Sequence, residues 1–444
     1  MTFLSRAGFG APCQRRRVAV VGSGAAALGA AWVLAPHHDV TLFEKNDYAG
    51  GHAHTVLVPG PGGRQIAVDT GFIVYNDVNY PNLVGLFRHL GIATHAASMG
   101  FAVSLDQGRL EYSGGSLKGL LAQKSNLLKP RFLGMIADLL RFYRAAAALP
   151  GQKGAEALSL GDYLRRNRYG DGFVEDHILP MAAAIWSAPA ECLLDFPAVS
   201  FVRFFENHGL LSLTGRPQWR TVTGGSQCYV DRLIADLAGR IHLSSAVTAI
   251  ARRDGGVRLS FADGRAQEFD EVVLGCHADE SLALLTDPSA LETELLSTFR
   301  FEPNQAWLHG DASLMPKRRA TWSAWNYLGD SNADSRRRLS VTYWMNELQG
   351  LDPEMPLFVT LNPAVAPAAS QVYGQFLYHH PIFDAPAIAA QQRLSEIQGQ
   401  RHSWFCGGWC GYGFHEDALS SGLRVAQGLG CLPPWAATAP TLAA

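Results

Sequence analysis

The stretch "VAVVGSGAAALGAAWVL", Val18 to Leu34, limits the fold of this chain more than any other segment. A short β-branched run without charge leads into Gly-Ser-Gly, and then into an Ala/Leu-rich segment that Pro36 ends. That order reads as a strand buried on both faces, a tight turn and a helix. "DVTLFE", Asp39 to Glu44, reads as the next parallel strand, so the chain opens on a βαβ unit after an arginine-rich lead of no evident structure.

Such a turn sets the phosphates of a dinucleotide against the free N–H groups of a helix N-terminus. Gly22 supplies the turn, Ser23 follows it, and Gly24 lets backbone come against phosphate. The third position of the fingerprint lets helix pack closely on strand, and there Ala27 is an accepted replacement for glycine. Glu44, twenty residues after Gly24, ends the second strand where a carboxylate accepts hydrogen bonds from a ribose, with Lys45 beside it. A carboxylate there disfavours a 2′-phosphate and so NADP. Glycines also make ordinary βα turns, but the acidic residue at this distance favours a cofactor. A second pair, Gly50-Gly51 in "KNDYAGGHAHT", exceeds what an NAD unit needs and points to the longer FAD.

At 444 residues the chain has room for two domains. A balance of 37 basic against 39 acidic side chains gives no global basic field and argues against nucleic acid as a partner. Seven cysteines without C-x-x-C pairs read as reduced thiols, neither a zinc site nor a disulfide framework. Residues 1–13 lack the apolar core of a secretory signal, and no apolar run is long enough to span a bilayer. The expected location is cytoplasmic. From Tyr80 to about Thr214 the pattern is mostly helical. From Thr221 it returns to strands and turns, with a mixed segment at about 281–396 and a final strand, glycine turn and helix in "SWFCGGWCGYGFHEDALSSGLRVAQGL".

The segments "VVGSGAAALGAAWVL…HDVTLFEKNDYAGGH", "TVTGGSQCYVDRL", "SSAVTAI", "EVVLGC" and "FCGGWCGYGFHEDALSSGLRVA" together resemble the flavin amine oxidase and phytoene desaturase superfamily. The resemblance is closest to a bacterial amine oxidase-like NAD/FAD-binding branch linked to fatty-acyl modification, including desaturation. It implies an α/β fold, with an FAD-binding Rossmann-like domain of the glutathione reductase type interleaved with an α+β substrate domain. The expected boundaries are 1–13 for an N-terminal extension, and 14–79, 215–280 and 397–432 for the FAD-binding domain. The substrate domain with its helical insert takes 80–214 and 281–396, and 433–444 forms a tail. Carried over residue by residue, Gly22, Ser23, Gly24 and Ala27 would hold the pyrophosphate and Glu44 the adenosine ribose. Gly50, Gly51 and His52 stand where the family has Gly-Gly-Arg, and Val247 where a strand backbone meets the adenine. Gly407-Gly408 matches a Gly-Asp or Gly-Glu pair whose carboxylate is missing here. Phe414, His415 and Glu416 belong to "GFHEDAL", which would aim the N–H groups of His415 and Glu416 at the flavin from a helix N-terminus; a plain helix cap is the alternative.

Two departures bear on the reaction. The strand expected to carry the lysine of amine oxidation, "PNQAWLHGD" (303–311), has none, and Lys317 lies beyond it in a basic loop. Cys410 stands where one aromatic of the amine cage belongs, with Trp409 and Tyr412 as neighbours. Hydride removal from an apolar, fatty-acyl or other lipid-like substrate is therefore the leading expectation. Amine oxidation is the runner-up, and a non-redox isomerase or a flavin-binding accessory protein is the alternative of another class. Tyr75 and His380 are the candidate catalytic residues, and Asp69 and Asn76 are read as fixing loops. His379-His380 does not suit a metal, because adjacent histidines rarely converge on one ion. Cys406 and Cys410 raise covalent flavin attachment, which the pattern does not favour. The segment 117–150, with six basic residues and one acidic on a Leu/Phe/Ile/Met background, fits peripheral contact with the inner face of a membrane, the lid of an apolar tunnel, or a basic solvated helix.

Overall fold

A computed structural model of the protein describes residues 14–186, 190–211, 215–330 and 338–437. The expected extension 1–13 and the end of the tail, 438–444, lie outside the described residues. The fold is mixed α/β, as expected.

A five-stranded parallel sheet has the order Ile241–His242, Asp39–Phe43, Arg17–Val21, Glu271–Leu274, Ser403–Phe405. Its central strand pairs Val20 with Leu42 on one side and Val273 on the other, and Val18, Ala19 and Val20 have no exposed surface. That is why this strand is a charge-free β-branched run. The arginines before it are tied down: Arg16 reaches Glu271 at 2.8 Å and Arg17 reaches Asp270 at 3.2 Å.

The first helix, Ala25–Leu34, is apolar all round because it is enclosed on every side. It crosses the C-terminal helix, His415–Gly428, at small residues. A Cβ on Gly422 would fall 2.1 Å from the Ala26 carbonyl oxygen, and one on Gly29 would fall 2.5 Å from Leu419. Between the strands at 241 and 271 the chain makes a three-stranded antiparallel meander, Val247–Arg253, Gly256–Phe261 and Ala266–Phe269.

The second body is a seven-stranded sheet, with the order Val372–Ile382, Arg300–His309, Phe358–Leu361, Arg338–Trp344, Trp325–Asp330, Phe101–Leu105, Leu110–Ser113. The region 80–214 is mostly helical, as expected, but it also holds three strands that the sequence did not signal. Thr94–Ala97, Phe101–Leu105 and Leu110–Ser113 are strands, and helices fill the region from Leu117 onward. These runs are too short for a local signal, and Phe101–Leu105 finds its parallel partner far along the chain at Trp325–Asp330.

One face of this sheet carries Tyr327, Val341, Tyr343, Val359 and Leu308, all buried. Helix Leu179–Trp186 lies over it, with the Tyr343 hydroxyl donating to the Ala184 carbonyl at 3.4 Å. Helix Ala198–Asn207 adds Phe201, Phe204 and Phe205 to the same core. The start of the expected tail is docked, not free. Trp435 stacks on Trp32 at 6.2 Å between ring centres, and its indole N–H donates to Asn82 at 3.3 Å.

Candidate active site

The turn after the first strand is built for an anion. Gly22 has φ +98°, and a Cβ there would lie 3.1 Å from the Gly275 carbonyl oxygen, so only glycine makes the turn without strain. Gly24 caps the first helix with φ −66° and offers no side-chain oxygen, and no acid stands in the helix's first turn. A Cβ on Gly24 would meet nothing within 4 Å. An enclosed helix N-terminus with no cap and open space beside its glycine is where a pyrophosphate fits. Ala27 has no exposed surface, and its methyl group faces Gly275, where an added Cβ would come within 2.6 Å. It is the packing residue of the motif.

The second glycine pair closes on the first turn. Gly50 bridges to Gly24, its N–H donates to the Ser23 carbonyl at 3.1 Å, and a Cβ on Gly51 would lie 3.1 Å from the Gly24 Cα. Glu44 is buried at the end of its strand, accepting from Ser23 Oγ at 2.6 Å and from the Asn46 N–H at 2.9 Å. An ionised carboxylate has acceptor sites left for a ribose. Lys45 turns away to pair with Glu280 at 2.7 Å, a contact that raises its pKa. Val247 begins the meander just after Ser245, whose N–H donates to the Glu44 carbonyl at 2.8 Å, so it stands beside the same end of the site.

The C-terminal helix brings the other half. Phe414 is its N-cap residue, and the Phe414 N–H is held by Asp417 at 3.0 Å. Burial pushes Asp417 up to about 6. Glu416 faces the helix Pro81–Leu90, accepting from the N–H groups of Asn82 and Leu83 at 3.0 Å each. Its carboxylate caps that helix, while the His415 and Glu416 N–H groups lie in the first turn of their own. Gly407 is fixed by Ser421, whose hydroxyl oxygen accepts its N–H at 2.9 Å. A Cβ on Gly408 would find only ordinary contact, 3.5 Å from Gly413, so nothing in the packing requires a glycine at the position of the missing carboxylate.

Where these elements meet, the chain gathers histidines and aromatic rings. His415 stacks on Phe72 at 3.9 Å and meets the Tyr229 hydroxyl through Nε2 at 2.5 Å. His52 lies 4.9 Å from Tyr378 and 5.5 Å from His380, ring centre to ring centre. The Tyr378 hydroxyl shares a 2.7 Å hydrogen bond with Thr70 and a 3.1 Å contact with His54. His379 and His380 are neighbours on a strand and project to opposite faces, so His379 lies instead beside His277, 6.1 Å away. Phe414 stacks on Phe204 at 4.9 Å and lies 5.5 Å from His208.

Burial sets the charge of this cluster. It pulls His52 well below its ordinary value, His380 to about 4 and His415 to about 3. The groups acting next most strongly on His52 are His380, His277, His415 and His379. Of these, His380, His277 and His415 are each held below the ordinary imidazole value, by burial before anything else.

Several sequence-predicted residues stand apart from the cluster. Tyr75 is not free to face a substrate: it is a core residue against Tyr80 and Phe87, with its hydroxyl donating to Thr94 at 3.1 Å. Trp409 packs on Phe299 and donates to the Cys276 carbonyl at 3.1 Å, which removes it as a cage residue. Burial drives the Cys410 thiol up to about 12 and Cys406 well above its ordinary value, so neither supplies a thiolate for covalent attachment. Asp69 does fix loops, holding the Ser226 N–H at 2.8 Å and the Gln349 side chain at 3.0 Å. Asn76 does the same, accepting from Val78 and Asn79. Sequence reading missed Phe72, Tyr229 and Tyr378. Tyr229 sits in the quoted "GGSQCYVDRL", but only the fold brings it to His415.

The family model for the flavin containing amine oxidoreductases matches residues 28–310. No curated protein sequence matches the chain. Among solved structures, a CLA-producing fatty acid isomerase from P. acnes is similar with a TM-score of 0.63 and 18% identity, over 93% of this chain and 98% of that one. Cyclohexylamine oxidase from Brevibacterium oxydans gives 0.68 and 14%, over 94% and 98%. Putrescine oxidase bound to putrescine gives 0.66 and 14%, over 94% and 99%. At these identities the likeness is one of fold.

Proposed function

Because the chain belongs to the flavin containing amine oxidoreductase family, we propose that it oxidises an apolar, acyl-chain substrate and not an amine. The carrying observation is the company of His52: the strongest charge effects on it, after burial, come from other histidines, of which His380 and His415 are pulled down by their own burial. An ammonium entering beside His52 would find imidazoles, not carboxylates, as the groups acting most strongly there, and of the two rings next to Cys410 that the sequence offers for a cage, Trp409 is committed elsewhere. Phe72 and Tyr378 instead set aromatic rings against His415 and His52.

The turns at Gly22–Gly24 and Gly50-Gly51 and the Glu44 carboxylate would hold FAD, which would supply a two-electron acceptor for a hydride. The chain's own work is orientation, exclusion of water and charge. The N-terminus of His415–Gly428 presents backbone N–H dipoles that favour negative charge. Removing a hydride and a proton from neighbouring carbons leaves a double bond, and a ring nitrogen of His380 or His52 accepts the proton. Both imidazoles are unprotonated at pH 7, so they are ready as bases without prior deprotonation.

The test is anaerobic mixing of the flavin-loaded protein with acyl chains and with primary amines, read at the flavin absorbance. Bleaching by an acyl chain is expected, with His380→Ala slowing it by about 10²-fold or more. Bleaching by amines alone would sink the proposal. Conversion of the chain without bleaching would replace oxidation by isomerisation, the activity named for the P. acnes neighbour.

A further inference from the structure

Residues 114–133 invert the usual distribution of polar and apolar side chains. Leu117 is 77% exposed, Leu121 41%, Leu127 46%, Leu128 86% and Leu133 49%, whereas Gln123 and Asn126 are buried. The inversion is held in place. Gln123 accepts from the Glu111 N–H at 2.7 Å and donates to the Arg109 carbonyl at 3.0 Å, while Asn126 donates to the Glu111 carbonyl at 3.0 Å. Ser116 caps the short helix Leu117–Leu120 by accepting the Gly119 N–H at 3.0 Å. The polar side chains moor the segment to strand Leu110–Ser113, and the leucines are left facing outward.

Charge accompanies them. From 114 to 133 there is no acidic residue, and Lys118, Lys124, Lys129 and Arg131 lie among the leucines. Arg131 is spent on Asp176 and Glu175, and Lys129 on the Arg109 carbonyl and Asn126. Lys118 and Lys124 are exposed beside the apolar side chains. Phe132, the segment's sole aromatic residue, is buried.

We propose that this face docks on an anionic lipid bilayer. Leucines spread over short elements with lysines between them suit the boundary of headgroups and acyl chains. A protein partner would favour aromatic anchors and exclude lysine from its centre. The lysines fit an anionic surface, each adding about fivefold to partitioning there. The structure also narrows the surface to less than the 117–150 read from the sequence. Beyond residue 133 the helix Pro130–Ala145 turns Met135 and Phe142 inward, to a core that includes Tyr378 and Phe383. Docking would therefore seat the substrate domain, not the FAD-binding domain, against the lipid.

Co-sedimentation of the flavin-loaded full chain with phosphatidylcholine vesicles, with and without phosphatidylglycerol, tests this without any turnover. Its outcome is thus separate from that of the proposed reaction. Binding is expected with phosphatidylglycerol and should weaken with added salt. Leu127→Asp/Leu128→Asp should weaken it at least about tenfold. Lys118→Glu/Lys124→Glu should weaken it with anionic vesicles only. Val365→Asp, at a side chain 71% exposed elsewhere, should leave it unchanged. Melting temperature and flavin absorbance should match the wild type in all three variants. The proposal fails if the wild-type protein stays in the supernatant, if the leucine variant pellets like it, or if Val365→Asp is as damaging. It fails equally if the leucine variant dissolves a self-associated form without affecting vesicle binding.

Discussion

Gly22, Gly24 and Ala27 carry the opening turn in three different ways. Gly22 is required by its backbone angle and by the Gly275 carbonyl above it, and Ala27 by the packing of helix on strand. Gly24 is required by neither, since its φ is ordinary and the space beyond it is open. Gly24→Val should therefore fold with a melting temperature close to that of the wild-type apoprotein, yet bind FAD at least about tenfold more weakly. Flavin absorbance per protein checks this; a normal flavin content would remove the pyrophosphate from this turn. Tyr229 makes the contrasting case. Its hydroxyl is the partner of His415 Nε2, and Tyr229→Phe leaves a buried nitrogen unpaired, at about 1–3 kcal/mol in urea unfolding.

At the scale of elements, the cofactor half depends on two helices, Ala25–Leu34 and His415–Gly428, meeting at small residues. Ala26 lies against Gly422 and Gly29 against Leu419, so each helix fixes the position of the other. Gly422→Val would drive a side chain into the Ala26 carbonyl and force the helices apart. The expected cost is about 1–3 kcal/mol or more, with flavin lost in parallel because Ala26 is in the first turn of the helix that follows Gly24. Calorimetry and flavin content on one sample read both effects. The sequence had placed these two helices well, since each follows a strand and a glycine turn. It could not place Phe101–Leu105, whose pairing with Trp325–Asp330 is a matter of topology.

For the whole molecule, the buried histidines dictate acid behaviour. His177, His208, His309 and His380 are depressed to about 4 and His415 to about 3, each by burial before anything else. In the unfolded chain they protonate near 6.5. As pH falls below that value, the unfolded chain takes up protons that the folded one refuses, so stability declines until the folded values are reached. Each unit of depression corresponds to about 1.4 kcal/mol. Asp69 and Asp417, raised to about 6 by burial, act in the opposite sense, because the folded state protonates them first. The histidines outnumber them. The melting temperature should accordingly be highest at pH 7 and above and fall between pH 6.5 and 4. A melt that is flat or rising on acidification to pH 5 would contradict the neutral cluster.

The sequence by itself determined the cofactor half, because that half is local. A turn, a helix N-terminus and a terminal carboxylate fall within about thirty residues, and their spacing follows from the geometry of strand and helix. It also showed the missing lysine and the missing carboxylate, since an absence at a motif position needs no fold to be seen. Only the tertiary structure brought the buried histidines together. His52, His380 and His415 come from three distant segments, and their neutrality arises from shared burial, which no single segment contains. The same holds for Tyr75: its side chain is that of a catalytic candidate, and its packing against Phe87 makes it core. The segment 117–150 leaves a membrane face, a tunnel lid and a solvated helix open in the sequence, and only the burial of Gln123 and Asn126 shows which way its leucines face.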